Sequence, residues 1–103
     1  MKHTIEHDLD VATARKVADR AFAEYKARFP DYEPTVSWAN ERQADISFNA
    51  KGIRLKGTME IAAKAIEMEL NVPFLLRPFQ KMAIEVIDRE VRVWIGKAHQ
   101  GQI

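Results

Sequence analysis

The chain has 103 residues, with 16 Lys and Arg against 15 Asp and Glu, so its net charge is close to +1. This length fits one domain with a single core, and a nearly neutral chain has no bulk attraction to nucleic acid or anionic lipid. The absence of Cys excludes a disulfide scaffold, a thiolate metal site and a cysteine nucleophile. No stretch of the sequence has the length and apolar content of a signal peptide or membrane span. We therefore expect one cytoplasmic domain, residues 1–103, with a frayed tail from about residue 99.

A short strand at residues 3–7 and a first helix are predicted at the start of the chain. Apolar residues recur every three or four positions over Ala14–Phe29, which is the spacing of one amphipathic stripe. Asp8 and Asp10 precede this stripe as candidate N-caps. Pro30 cannot continue the helix, so the helix should end there.

From residue 35 onward the period of the pattern changes to two. Apolar side chains alternate with polar ones in three segments, at residues 36–38, 44–48 and 53–61. Such alternation is typical of an antiparallel meander with one apolar face and one solvent-exposed face. The next segment, residues 59–70, fits either a helix, because of its good helix formers, or a strand pair that turns at Ala62–Lys64. We favour strands, because apolar residues alternate with polar ones from Ile66 to Val72.

A second helix is predicted from about Phe79 to about Ala98. It follows Pro73, which ends the last strand, and a short apolar bridge at residues 74–76, and Pro78 suits its first turn. Both helices need an apolar surface to cover, and the meander offers one. The sequence therefore predicts an α+β domain of order β-α-β-β-β-β-α, with two helices packed on one face of an antiparallel sheet.

Few residues have the spacing of a catalytic or metal site. His3 and His7 lie four residues apart, but on a strand this separation is roughly 13 Å, which is too far for one ion. We therefore expect these histidines to be exposed to solvent. Glu60, Glu67 and Glu69 are expected on the wet face of the sheet as solvated charges. No catalytic, metal-binding or cofactor-binding residue is predicted, and we do not expect an enzyme.

The basic residues Lys51, Arg54, Lys56 and Lys64 form a loose cluster. A nucleic-acid platform needs aromatic side chains on the same face, but Trp38 and Phe48 fall on the apolar phase. We therefore predict no nucleic-acid partner. Gly52 suits a turn, and Gly57 suits a close approach between helix and sheet.

Arg77, between Leu76 and Pro78, has two interpretations. It could bind an anion at the N-terminus of the second helix. Its aliphatic stem could instead pack on the apolar bridge while its charged head stays in solvent, and we favour this second interpretation.

The second helix carries more apolar residues than one core contact can bury. Successive positions 100° apart place one broad apolar arc towards the core. That arc consists of Ala83, Ile84, Ile87, Val91, Trp94, Ile95 and Ala98. A further stripe, called the outer stripe below, consists of Phe79, Met82, Val86 and Val93 with the cations Arg89 and Lys97 beside them. A neighbouring helix, a second subunit or an apolar surface could cover this stripe, and so could the first helix or the bridge at residues 74–76.

Three segments resemble one family of small bacterial proteins. They are Ile5-Glu6-His7-Asp8-Leu9, Gly52-Ile53-Arg54-Leu55-Lys56-Gly57-Thr58-Met59-Glu60-Ile61 and Val72-Pro73-Phe74-Leu75-Leu76-Arg77-Pro78. The family is the polyhydroxyalkanoic acid system family, whose members are often encoded beside genes for polyester granule synthesis and use. The resemblance implies a setting in polyhydroxyalkanoate metabolism and defines no catalytic residues.

Two functional hypotheses follow. The leading one is a non-enzymatic accessory or granule-associated protein that uses the outer stripe to contact a granule surface, a granule protein or a second copy of the chain. The alternative is a small module that holds an acyl-type apolar ligand between sheet and helices. The side chains predicted to line that cavity are Trp38, Phe48, Met59, Met68 and Trp94.

Overall fold

The computed structural model describes residues 2–50 and 52–103, and it has the predicted order of elements. The strands are β1 (Lys2–Glu6), β2 (Thr35–Trp38), β3 (Gln43–Ala50), β4 (Ile53–Ile61) and β5 (Ala65–Asn71). The helices are α1 (Val11–Arg28) and α2 (Arg77–His99), and 3-10 turns lie at Pro30–Tyr32 and Phe74–Leu76. Residues 59–70 therefore contribute to two strands rather than to a helix, as predicted.

The strands form one antiparallel sheet in the order β1-β5-β4-β3-β2. Strands β2 to β5 make the predicted meander, and β1 joins its edge beside β5, where Ile5 lies opposite Ile66. The two helices pack against each other over the apolar face of this sheet. The interior between the two layers contains fully buried Ile5, Met59 and Ile66 from the sheet together with Val17 and Ile87 from the helices. This arrangement confirms the predicted two-layer α+β architecture.

The N-cap of α1 is Asp10. Its Oδ1 accepts a hydrogen bond from the backbone N–H of Thr13 at 2.7 Å, and the hydrogen bonds from Thr13 lower the pKa of the carboxyl. Asp8 instead pairs with His99, whose hydrogen bond lowers the pKa of Asp8. The start of α1 is therefore tied to the end of α2.

The C-terminal end of α2 is closed by backbone hydrogen bonds. Gln102 N–H donates to the Lys97 carbonyl, and Gly101 N–H donates to the Ala98 carbonyl. Gly101 has φ +70°, so these two bonds form a Schellman motif. Ile103 then lies partly buried against the core. Among the described residues, neither helix combines the length and apolar content that crossing a bilayer requires.

Gly57 allows two strands, rather than a helix and the sheet, to approach closely. A Cβ atom at Gly57 would overlap the carbonyl oxygen of Glu69 and would lie 2.7 Å from Cδ2 of Leu70, both on β5. The predicted helix–sheet approach at Gly57 is therefore wrong, because its close neighbour is the backbone of the adjacent strand. The prediction for Gly52 is confirmed, since it has φ +78° in the turn between β3 and β4.

Candidate functional site

The outer stripe is divided between core and solvent. Phe79 packs on a small apolar cluster beside the β3–β4 hairpin, and Val86 packs against the main core. Met82 and Val93 remain 51% and 47% exposed. These two residues are eleven positions apart, which corresponds to about 16 Å along the axis of α2. The exposed part of the stripe is therefore two apolar groups on one outward line of the helix.

Two cations flank this line. The side chain of Arg89 is exposed, and the Nζ atom of Lys97 lies 4.3 Å from the ring centroid of Trp94. Towards β1, the stripe borders an open hollow of about 610 Å³. Its lining residues are His3, Ile84, Glu85, Asp88, Arg89, Arg92 and Val93. One side of the exposed apolar line is therefore a polar, charged surface.

Asp88 joins β1 to α2 within this hollow. Its carboxylate accepts a hydrogen bond from Nε2 of half-buried His3 at 2.6 Å and another from Nε of Arg92 at 2.6 Å. Burial alone would raise the pKa of Asp88, but the hydrogen bonds from Arg92 and His3 together outweigh it. The pKa of Asp88 therefore lies below its ordinary value.

We expect Asp88→Asn to lower the free energy of unfolding at neutral pH by about 1 kcal/mol, since the side chain is partly exposed. A carboxyl with a depressed folded pKa contributes stability above its unfolded pKa, and this contribution is lost as pH falls through the folded pKa. Urea unfolding from pH 7 to pH 2 should show that the gap in free energy of unfolding between wild type and variant is constant above about pH 5. The gap should close below about pH 4. A gap of the same size in strong acid would contradict this assignment.

The expectation of exposed histidines is wrong for His7, which is buried. Its Nε2–H donates to the carbonyl of Ala62 at 3.1 Å, and its Nδ1 accepts from the N–H of Leu9 at 3.0 Å. The imidazole therefore links the β4–β5 turn to the segment before α1. Within the part of the chain that the structure describes, no group of three or more His, Asp or Glu side chains could hold a metal ion.

The face of the sheet that points away from the helices is polar, and its charges are separated along the strands. The predicted carboxylates Glu60, Glu67 and Glu69 are exposed there, with Glu60 directly opposite Glu67. Arg54 lies towards the other end of the same face, where it donates to Ser47 Oγ at 2.7 Å and Asn49 Oδ1 at 3.0 Å. Lys51, the first residue of the predicted basic cluster, lies outside the described residues.

The five predicted cavity residues lie in or beside the main core. Phe48, Met59 and Met68 are buried in it, and Trp38 and Trp94 are half-buried against it. The apolar crevice that borders Phe48 has a volume of about 20 Å³, which is room for about one water molecule.

An exposed apolar tip occurs where the sequence predicted a bridge. Phe74 and Leu75 are 75% and 86% exposed, while Leu76 turns inward. The Arg77 guanidinium lies 5.1 Å from the ring centroid of Phe74, so the charged head of this exposed residue lies against the predicted bridge. We call Phe74–Leu75 the apolar tip. In the sequence, the sign of this exposed tip was an apolar run that fitted neither the alternation of the strands nor the spacing of the helix.

Two buried polar side chains on α2 were also missed. Glu90 is 4% exposed, and its Oε1 lies 3.3 Å from a terminal guanidinium nitrogen of Arg28. Gln80 is more than nine-tenths buried, and its Nε2 has no hydrogen-bond partner among the described residues. Helical spacing places Gln80 within the core arc and Glu90 at its edge. Polar residues are usually exposed, so residue type predicts the wrong environment for Gln80 and Glu90. Their position on the helix is the one sequence signal that could have identified them as buried.

These features define a small two-layer α+β protein whose last helix presents a partly exposed apolar stripe. A family model described as "Putative polyhydroxyalkanoic acid system protein" matches residues 2–94. The chain belongs to this family, in agreement with the resemblance found from its sequence. The matched range includes the sheet, α1 and α2 as far as Trp94. No curated protein matches the chain.

Proposed function

We propose that the chain is a non-enzymatic accessory protein of polyhydroxyalkanoate metabolism that attaches to the polyester granule through the outer stripe of α2. Family membership supports the metabolic setting. The observation that carries the attachment is the exposure of Met82 and Val93 on one line of the helix. On this proposal the protein acts in the cytoplasm, at the granule surface.

The chemistry of the stripe matches that of a polyester. Such a surface is largely apolar, so contact would remove the thioether of Met82 and the methyl groups of Val93 from water, which is favourable. A polyester also presents ester carbonyl oxygens as hydrogen-bond acceptors. Arg89 lies between Met82 and Val93 along the helix, and its exposed guanidinium can donate hydrogen bonds to these ester oxygens.

Two other occupants receive less support. A second copy of the chain would need more contact than two apolar side chains about 16 Å apart supply, because stable interfaces bury roughly 800 Å² on each partner. An acyl ligand inside the core would need more room than the crevice of about 20 Å³ beside Phe48. The granule surface is therefore the occupant that we propose.

We expect the double substitution Met82→Glu and Val93→Glu to reduce co-sedimentation with isolated polyester granules at least about tenfold. The two carboxylates would have to be desolvated on an apolar surface, which is strongly unfavourable. Both side chains are about half exposed in the fold, so the melting temperature should change little.

The matched control is Ala23→Glu with Ala27→Glu, which adds the same two charges to exposed positions of α1. This control should bind granules within about twofold of wild type. The proposal fails if wild type does not sediment with granules, or if the Met82 and Val93 variant sediments as well as wild type. If light scattering shows a wild-type dimer that the variant loses, and granules bind neither protein, the stripe is a self-association surface instead.

A further inference from the structure

The turn between β5 and α2 projects two adjacent apolar side chains from one end of the molecule. Phe74 and Leu75 are the two most exposed large apolar residues of the described chain. The neighbouring Leu76 packs inward against the β3–β4 hairpin, so the apolar tip lies beside that hairpin. Ile53, at the start of β4 in the same hairpin, is also exposed. Apolar groups from two separate segments are therefore presented at this end.

Three cations lie on the elements that adjoin the apolar tip. Arg77 lies against the Phe74 ring, Lys81 is exposed one turn further along α2, and Lys56 is exposed on β4. None of these three cations forms an ion pair with another described residue. The first turn of α2 contains no acidic residue. The apolar tip therefore lies beside positive charges, and no acidic side chain of the described residues pairs with them.

In the first turn of α2, the Nε2 group of Gln80 is a hydrogen-bond donor without a partner among the described residues. No side chain of the described residues caps this end of the helix, where the helix dipole is positive. The buried Gln80, whose Nε2 is unpaired, lines an open hollow of about 570 Å³ together with Arg77 and Asn71. A buried donor without a partner is costly. An oxyanion in this hollow would provide a counter-charge for Arg77 and, once the Gln80 amide rotates towards the hollow, an acceptor for its Nε2.

We propose that this end of the molecule docks on an anionic phospholipid surface. Phe74 and Leu75 enter the acyl layer, while Arg77 and Gln80 bind a headgroup phosphate. A lipid surface fits better than a protein partner, because the two apolar side chains present only on the order of 300 Å², well below a stable protein interface. Insertion of a small apolar group supported by nearby cations is a common mode of peripheral membrane binding. The site is separate from Met82 and Val93 and does not depend on granule attachment.

The test is co-sedimentation with vesicles of phosphatidylcholine alone and of phosphatidylcholine mixed with phosphatidylglycerol. Wild type should bind the mixed vesicles, and added salt should weaken this binding because the cations contribute to it. Phe74→Ser with Leu75→Ser should reduce binding at least about tenfold. Arg77→Gln with Lys81→Gln should remove the preference for phosphatidylglycerol, again about tenfold.

Two control variants separate this site from other surfaces. Lys16→Gln with Lys64→Gln removes two exposed charges elsewhere on the molecule. Met82→Ser with Val93→Ser changes the outer stripe. Both controls should bind mixed vesicles within about twofold of wild type, so failure of granule attachment and failure of lipid docking give different results.

Three outcomes would overturn the proposal. In the first, wild type does not bind mixed vesicles. In the second, the Phe74 and Leu75 variant binds them as well as wild type. In the third, inorganic phosphate perturbs the amide signals of Arg77 and Gln80 in solution while vesicles bind no protein, which would make the hollow a site for free anions.

Discussion

Gly57→Ala is expected to lower the free energy of unfolding by about 3 kcal/mol or more. The added Cβ would overlap the backbone carbonyl oxygen of Glu69 and would press on Leu70. A flexible side chain can turn away from a new methyl group, but a backbone carbonyl in the middle of a paired strand cannot. Relief would require β4 and β5 to separate, which would disturb the register between Thr58 and Glu69.

Gly96→Ala is the matched control. Gly96 lies in α2, and a Cβ atom there would meet no atom of the described residues within 4 Å. Alanine should therefore stabilise the protein by about 0.5–1 kcal/mol, because glycine is a poor helix former. Urea unfolding of the two variants should give shifts of opposite sign. Equal, small shifts for both would mean that β4 and β5 are not packed as described.

The elements of the fold could be predicted because burial leaves a period in the sequence. Each strand of the meander is covered on one face, so its apolar residues alternate, and the switch from a period of two to one of 3.6 separates β5 from α2. The register between strands leaves no such pattern. The sequence of β4 alone therefore could not show that Gly57 lies against a carbonyl of β5.

The polar residues were harder to predict, because their burial depends on partners that are distant in sequence. His7 is buried through its bond to Ala62, 55 residues away. The apolar tip was missed for the opposite reason, since Phe74 and Leu75 are apolar yet exposed. Residue type alone predicts the wrong environment in both cases. The outer stripe could be located from helical spacing, but its division into covered and exposed parts depends on how α1 and the β3–β4 hairpin pack against α2.

Arg28→Met should lower the free energy of unfolding by about 2 kcal/mol, although Arg28 itself is largely exposed. The loss arises at Glu90, whose carboxylate is buried and would lose its guanidinium partner at 3.3 Å. Removing one partner of a fully buried ion pair typically costs about 3–5 kcal/mol. The exposed guanidinium reduces that figure, because water screens its charge. Methionine retains most of the apolar stem, so the change mainly reports the lost charge.

A second substitution determines whether Glu90 is the origin of this loss. If it is, adding Glu90→Leu to Arg28→Met should recover most of the stability, because a buried position then holds an apolar group instead of an unpaired charge. Glu24→Gln is the control, since Glu24 also pairs with Arg28 but on the exposed surface of α1, and it should cost less than about 0.5 kcal/mol. A double variant at Arg28 and Glu90 that is less stable than Arg28→Met alone would show that Glu90 contributes through contacts other than this ion pair. In that case the packing of α1 on α2, which positions the outer stripe, would depend on those contacts as well as on the ion pair.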